Sequence, residues 1–163
     1  SGLGVSLAED ADELRSAMVA CFAYDERALI ESYVPGREIA VSVVDTGDGP
    51  RPLPPVEVVT DGEYDFDARY NPGRSEYFVP ARLAAAELAL VQETAMTVHR
   101  TLGLGNLSRT DLILDDAGTP WFIDVNVVPG MTETSLLPLA AEAEGGLPEL
   151  YDALVRHPLV TPS

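Results

Sequence analysis

Four residues in the last third of the chain have the types and spacing for metal or phosphate chemistry: Arg109 and Asp111 in SRTDLILD, and Asp124 and Asn126 in FIDVNV. Each pair is two apart within a run of strand-forming residues, so its two side chains share one face. Between the runs lies DDAG, which reads as the loop of a β-hairpin. A two-residue loop at Ala117-Gly118 pairs Asp116 with Thr119 and, in the same register, Asp111 with Asp124. Directly opposed residues have Cβ atoms about 4.5–5.5 Å apart, and like charges so placed are destabilising unless a cation sits between them. An oxygen-only cluster of two carboxylates and an amide suits a hard ion such as Mg²⁺, which takes a few protein oxygens together with substrate phosphates. Arg109, on the same face, could meet those phosphates or a developing negative charge. The pattern alone fits a solvated acidic hairpin edge equally well. Directly after the second run come Pro129-Gly130 and the hydroxyl residues Thr132, Thr134 and Ser135.

The elements that would carry these residues follow from periodicity and punctuation. Residues 8–24 place Leu14, Met18, Cys21 and Phe22 at helical spacing, with acids in the first turn where the helix dipole favours them. ALIESYV (28–34) reads as a strand, Pro35-Gly36 as a turn, REIAVSVV as a second strand and residues 53–60 as a third. Residues 61–80 form a polar, aromatic, turn-rich stretch, and a loop of that length in a folded domain is usually functional. A helix is predicted over 82–102, with Leu88, Val91, Ala95, Val98 and Leu102 on one face and Gly103 as its C-cap. The hairpin and a last amphipathic helix, LPELYDALVRH, close the chain. Strands and helices without βαβ alternation indicate an α+β fold.

The totals narrow the partners. With 163 residues, 46% of them hydrophobic, the chain can bury a sizeable core. Its 27 acids against 10 bases, all arginine, give a net charge of -17, which disfavours a nucleic-acid or anionic-membrane partner. The single cysteine, Cys21, excludes an internal disulfide and suits a reducing cytoplasm. No apolar run nears the roughly 18–20 residues of a membrane span, and no signal-peptide pattern opens the chain. It starts SGLGVS without Met, so a piece of a longer protein is expected.

SRTDLILDDAGTPWFIDVNVVPGMTETSLLP resembles the signature of the ATP-grasp D-alanine–D-alanine ligases: an Arg-x-Asp strand, a hairpin, and an acid-x-Asn strand running into Pro-Gly-Met-Thr. SGLGVS is similar to the tail of the loop that covers the phosphates in that family. IESYVPGREIAV resembles its adenine-binding hinge with the ribose-binding Glu, and FDARYNPGRSEYFVPA its closing loop. The motifs occur in the family's order and cover essentially the whole chain. The resemblance implies residues 1–34 as the end of the ATP-grasp central (lid) domain with the adenine hinge, and 35–163 as the ATP-grasp C-terminal catalytic domain.

By the same resemblance, Asp111, Asp124 and Asn126 would hold two Mg²⁺ ions (or Mn²⁺) that bridge the phosphates of ATP. Arg109, with the backbone at Gly130, would stabilise the phosphate and the tetrahedral intermediate. Ser135 and Leu136 would bind the carboxylate of the second D-alanine. The backbone of Glu31, Ser32 and Val34 would read adenine beside Tyr33, and Glu38 would accept from the ribose hydroxyls. Tyr70 would sit in the closing loop and Ser1 in the phosphate-covering loop. The implied reaction activates one D-alanine as an acyl phosphate, which the amine of a second attacks, in the cytoplasm, for peptidoglycan precursors. A homodimer formed mainly through other segments is implied as well.

Three features depart from the family: Asp124 replaces the usual Glu, Arg69-Tyr70 replaces Lys-Tyr, and the chain has no lysine. The part is therefore expected to be inactive alone. The departures leave two alternatives, a related carboxylate–amine ligase with another substrate and a nucleotide-binding module without catalysis. Elsewhere, His99 reads as structural, His157 as exposed, Cys21 as a buried small apolar residue and Trp121 as core.

Overall fold

The computed structural model describes residues 4–60 and 75–156. These fall into two units, 4–34 with 60 and 75–76, and 35–59 with 77–156. Ser1, Tyr70 and His157, and most of the predicted closing loop, lie outside the described residues.

In the first unit, helix α1 (Ala11–Cys21) is set by local chemistry. Asp10 caps it, its carboxylate accepting from the N–H groups of Asp12 at 2.8 Å and Glu13 at 2.9 Å, and Asp12 and Glu13 add charge where the dipole favours it. No α1 side chain is fully buried, so Cys21 is half-buried rather than the core residue its spacing suggests. The predicted strand 28–34 is irregular instead, with Leu29, Ile30 and Tyr33 exposed. An apolar run becomes a strand only beside an edge that pairs its N–H and C=O groups.

The second unit is built on an antiparallel sheet. Its strands are β1 (Arg37–Val44), β2 (Arg51–Pro52), β3 (Val56–Thr60), β4 (Ser75–Phe78), β5 (Leu107–Leu114) and β6 (Pro120–Asn126), in the order β4-β3-β1-β5-β6 with β2 beside β1. The predicted loop over 61–80 thus ends in a strand. Helices α2 (Ala85–Thr101), α3 (Leu136–Ala143) and α4 (Leu147–Arg156) complete the unit. β1 is apolar along nearly its whole length because both of its faces are covered. Ile39, Val41 and Val43 pack with Leu112 and Leu114 against Val91, Ala95 and Met96 of α2. Ala40 and Val44 join Leu53 and Val56 against Leu137, Ala140 and Ala141 of α3 and Leu150 of α4. Each such Val, Ile or Leu contributes about 1.5–3 kcal/mol relative to exposure.

Helix α2 buries a face slightly rotated from the predicted one. Met96 and His99 are inside, whereas Leu102 is 54% exposed. The polar His99 is accommodated because its Nδ1 meets Ser108 Oγ at 2.8 Å. β6 ends the sheet order, and Trp121 on it is half-exposed, contrary to its predicted place in the core. Its indole N–H donates instead to Asp115 Oδ2 at 2.8 Å.

Candidate functional site

The β5–β6 hairpin opposes Asp111 with Asp124 and Arg109 with Asn126. That pairing is the predicted one, reached by a different route. Near the turn, Leu114 pairs with Pro120, and Asp115 N–H donates to the Thr119 carbonyl at 3.1 Å, so the loop is one residue longer than Ala117-Gly118. Gly118 supplies the positive φ of +78° that such a loop needs. The register then shifts between Asp111 and Leu112, leaving Ile123 as an extra residue on β6. This bulge restores Asp124 to its place opposite Asp111. Bulges of this kind commonly re-aim a side chain beside a functional site.

The sheet sorts its side chains onto two faces. Ser108, Thr110 and Leu112 face α2, as do Ile39 and Val41 of β1. Arg109 and Asp111 therefore face the α3 side. Glu38 shares that face through the register that pairs Ala40 with Asp111 and Ser42 with Arg109. Asp124 and Asn126 share it across the hairpin. Three carboxyl side chains thus surround one guanidinium, whose field they all reach.

Arg109 is already engaged. Its Nε donates to Asp111 Oδ1 at 2.8 Å and its Nη2 to Asp111 Oδ2 at 2.9 Å, with 14% of the Arg side chain and 6% of the Asp side chain exposed. Burial pushes the guanidinium pKa down, but the Asp111 hydrogen bonds and the charges of Asp111, Asp124 and Glu38 outweigh it, so the net shift is upward. Arg109 is therefore a permanent cation oriented by Asp111, with part of its donor fork left for an anion. Asn126 accepts the Val128 N–H at 3.0 Å, an Asx-type turn that starts the following loop. Its carbonyl oxygen keeps a second lone pair.

Among the described residues, no three His, Cys, Asp or Glu side chains form a metal-binding group. Two carboxylates and an amide are an incomplete set by themselves. They fit Mg²⁺ as a partial set, because that ion commonly takes one or two carboxylates and completes its octahedron with water and phosphate oxygens.

Beyond β6 the chain turns through Pro129-Gly130 into α3. Ser135 is the N-cap residue of α3, but its hydroxyl makes no capping bond and lies 2.8 Å from Thr132 Oγ1. The Ser135 N–H donates to the Thr132 carbonyl at 2.8 Å. A helix start whose N-cap side chain turns elsewhere leaves first-turn N–H groups, that of Leu136 included, for an anion. Gly130 leaves room for the Ser135 hydroxyl: a Cβ there would lie 2.6 Å from Ser135 Oγ.

Two features of this unit were not read from the sequence. Glu57, 4% exposed, is gripped by Arg37 and Arg82, and Tyr151 of α4 donates to the Met131 carbonyl at 3.0 Å. Neither has a local signal, since the partners are 20 or more residues apart. Of the nucleotide residues implied by the resemblance, Glu38 lies on the site face. Glu31, Ser32, Tyr33 and Val34 belong to the first unit, in irregular backbone.

Residues 1–156 match the family model described as D-ala D-ala ligase C-terminus. The D-alanine--D-alanine ligase of Methylacidiphilum infernorum is 39% identical over 146 residues, covering 89% of this chain and 47% of that protein. The Gloeobacter violaceus ligase of the same name is 40% identical, again over 89% of this chain and 47% of its own length. Among solved structures, the ATP-complexed D-alanine--D-alanine ligase of Bacillus anthracis aligns with a TM-score of 0.76 at 29% identity, over 93% of this chain and 49% of that one. The VanG D-Ala:D-Ser ligase of Enterococcus faecalis aligns at 0.80 and 26%, over 95% and 46%. The chain thus spans about half the length of the curated relatives it matches.

Proposed function

The chain belongs to the family of D-alanine–D-alanine ligase C-terminal domains, and from that premise we propose that it is the metal- and acceptor-binding part of an ATP-dependent ligase. In this reading the complete protein joins two D-alanines for peptidoglycan precursors. The observation that carries it is the single sheet face on which Glu38, Asp111, Asp124 and Asn126 gather around Arg109, beside a loop that leads to a helix N-terminus.

Asp111, Asp124 and Asn126 hold the divalent ions, Mg²⁺ or Mn²⁺. When bound, these ions neutralise the ATP phosphates and stabilise the charge that builds up during phosphoryl transfer. Arg109, oriented by Asp111, supplies the fixed cation for charge on the activated carboxyl, with the backbone at Gly130. Ser135 Oγ and the Leu136 N–H bind the carboxylate of the acceptor D-alanine and so position its amine for attack. Glu31, Ser32, Tyr33 and Val34 bind adenine and Glu38 the ribose. Ser1 and Tyr70 act from the phosphate-covering and closing loops. Residues 1–34 are assigned to the central domain and 35–163 to the C-terminal domain. A cytoplasmic homodimer without nucleic-acid or membrane partners completes the reading, and the net charge of -17 disfavours anionic partners. A second reading keeps the chemistry and changes the acceptor. The departures Asp124 and Arg69 favour it, as does the likeness to a solved D-Ala:D-Ser ligase.

The test uses the full-length protein that carries this chain, with ATP, Mg²⁺ and D-alanine, following phosphate release beside reactions offering L-alanine, D-serine and D-lactate. Release that requires D-alanine and vanishes in Asp111→Ala and in the solvent-exposed Asp124→Asn supports the reading. Release with another acceptor moves the protein to the second. ATP binding with no turnover on any acceptor refutes both and leaves a nucleotide-binding module.

A further inference from the structure

Resting on the proposed ligase reading, we infer that Tyr151 is a positioning residue for the acceptor carboxylate, acting through the Pro129–Ser135 loop and the hydroxyl of Thr132. That loop joins β6 to α3 and has few tethers of its own. Pro129 at its start is buried, but residues 130–134 are exposed, and the Asn126–Val128 bond holds only the turn that leads into it. Its middle is tied down from outside, where Tyr151 Oη donates to the Met131 carbonyl at 3.0 Å.

The anchor is firm. Tyr151 follows Leu150, which is 6% exposed and packs with Leu137, Ala140 and Ala141 of α3 and with Ala40 and Val44 of β1. Leu147 and Leu154 pack on the same cluster. The phenol therefore stands on a helix seated on the sheet that carries Arg109 and Asp111. The tether also reaches the functional hydroxyl in few steps. Met131 precedes Thr132, whose hydroxyl lies 2.8 Å from Ser135 Oγ and whose carbonyl accepts the Ser135 N–H at 2.8 Å. Holding Met131 fixes the Thr132 peptide, and Thr132 then fixes the Ser135 hydroxyl and the first N–H groups of α3. The site that receives the acceptor carboxylate is in this way referenced to α4, away from the metal-binding strands.

A device of this kind moves one kinetic constant. Loss of this one neutral, solvent-exposed hydrogen bond weakens acceptor binding by about three- to tenfold. It leaves nucleotide binding alone, because Tyr151 touches nothing on β1, β5 or β6 among its hydrogen bonds at the described residues.

The experiment measures the KM for acceptor, the KM for ATP, kcat and Tm in the full-length protein for wild type, Tyr151→Phe, Thr132→Val and Thr132→Ser. The expected result is an acceptor KM raised about three- to tenfold in Tyr151→Phe and Thr132→Val, with the ATP KM, kcat and Tm close to wild type and with Thr132→Ser restoring the wild-type KM. An unchanged acceptor KM in Tyr151→Phe overturns the inference. So does a rise in both KM values together with a lower Tm, since that is the mark of a structural residue. Wild-type protein that turns over none of the acceptors fails the ligase reading itself, and the inference falls with it.

Discussion

Glu57 provides the sharpest test of the energetics. Its carboxylate accepts from Arg37 Nε at 3.2 Å and Nη2 at 3.1 Å, and from Arg82 Nε at 2.9 Å, Nη2 at 3.1 Å and backbone N–H at 3.1 Å. Arg82 also lies over the Phe78 ring, 3.5 Å from its centroid, and Arg37 donates to the Arg82 carbonyl. The Arg82 hydrogen bonds foremost, then those of Arg37, outweigh burial and lower the Glu57 pKa from 4.5 to about 2. A depression of that size corresponds to about 3 kcal/mol of folding free energy, present above the unfolded pKa and lost as pH falls through the folded one. The two Arg side chains are 39% and 53% exposed. Water can replace part of what they give, so Glu57→Gln should cost about 2 kcal/mol at pH 7. At pH 3 more than half of the effect should be gone, leaving less than about 1 kcal/mol. Urea unfolding followed by circular dichroism, for wild type and variant at both pH values, measures this directly. A difference between the two proteins that is equal at pH 7 and pH 3, or that grows in acid, would refute the assignment of the energy to the ionised carboxylate.

Two other predictions concern the same unit. Burial holds the His99 imidazole below its ordinary value of 6.5, with Asp45 opposing and Arg100 reinforcing the shift. Its contribution to stability is therefore present above that value and lost as pH falls beneath it, and unfolding free energies between pH 7.5 and 5.5 should slope downward in wild type and less in His99→Gln. Gly130→Ala should leave Tm nearly unchanged, because the new Cβ meets only the Ser135 side chain, at 2.6 Å from Oγ and 3.3 Å from Cβ. It should nevertheless raise the acceptor KM of the full-length protein at least about tenfold by turning that hydroxyl away, and an unaltered KM would show that the Ser135 hydroxyl has no part in binding.

The chemistry-bearing residues were legible in the sequence because the signals that mark them are local. A period of two puts Arg109 with Asp111 and Asp124 with Asn126 on common faces whatever surrounds the strands. Turn residues between two apolar runs announce the hairpin, and Gly103 and the acids of the first turn mark helix ends through their own backbone neighbourhood. The order of motifs was enough to place the chain in its family.

What only the tertiary structure decided depends on partners far away in the chain. The Asp111–Asp124 pairing survives a wrong loop length because the Ile123 bulge offsets it, and no local pattern announces an extra residue inside an apolar run. Whether 28–34 forms a ladder depends on an edge to pair with, and whether Trp121 is buried depends on what lies over the last strand of the sheet. The charges of Asp124 and Glu38 act on Arg109 only because sheet pairing brings them to its face. Glu57 and Tyr151 acquire their partners across 20 to 25 residues of chain. The types and spacings of side chains define what chemistry a face can perform. Packing at a distance decides which groups are oriented, paired or left open to perform it.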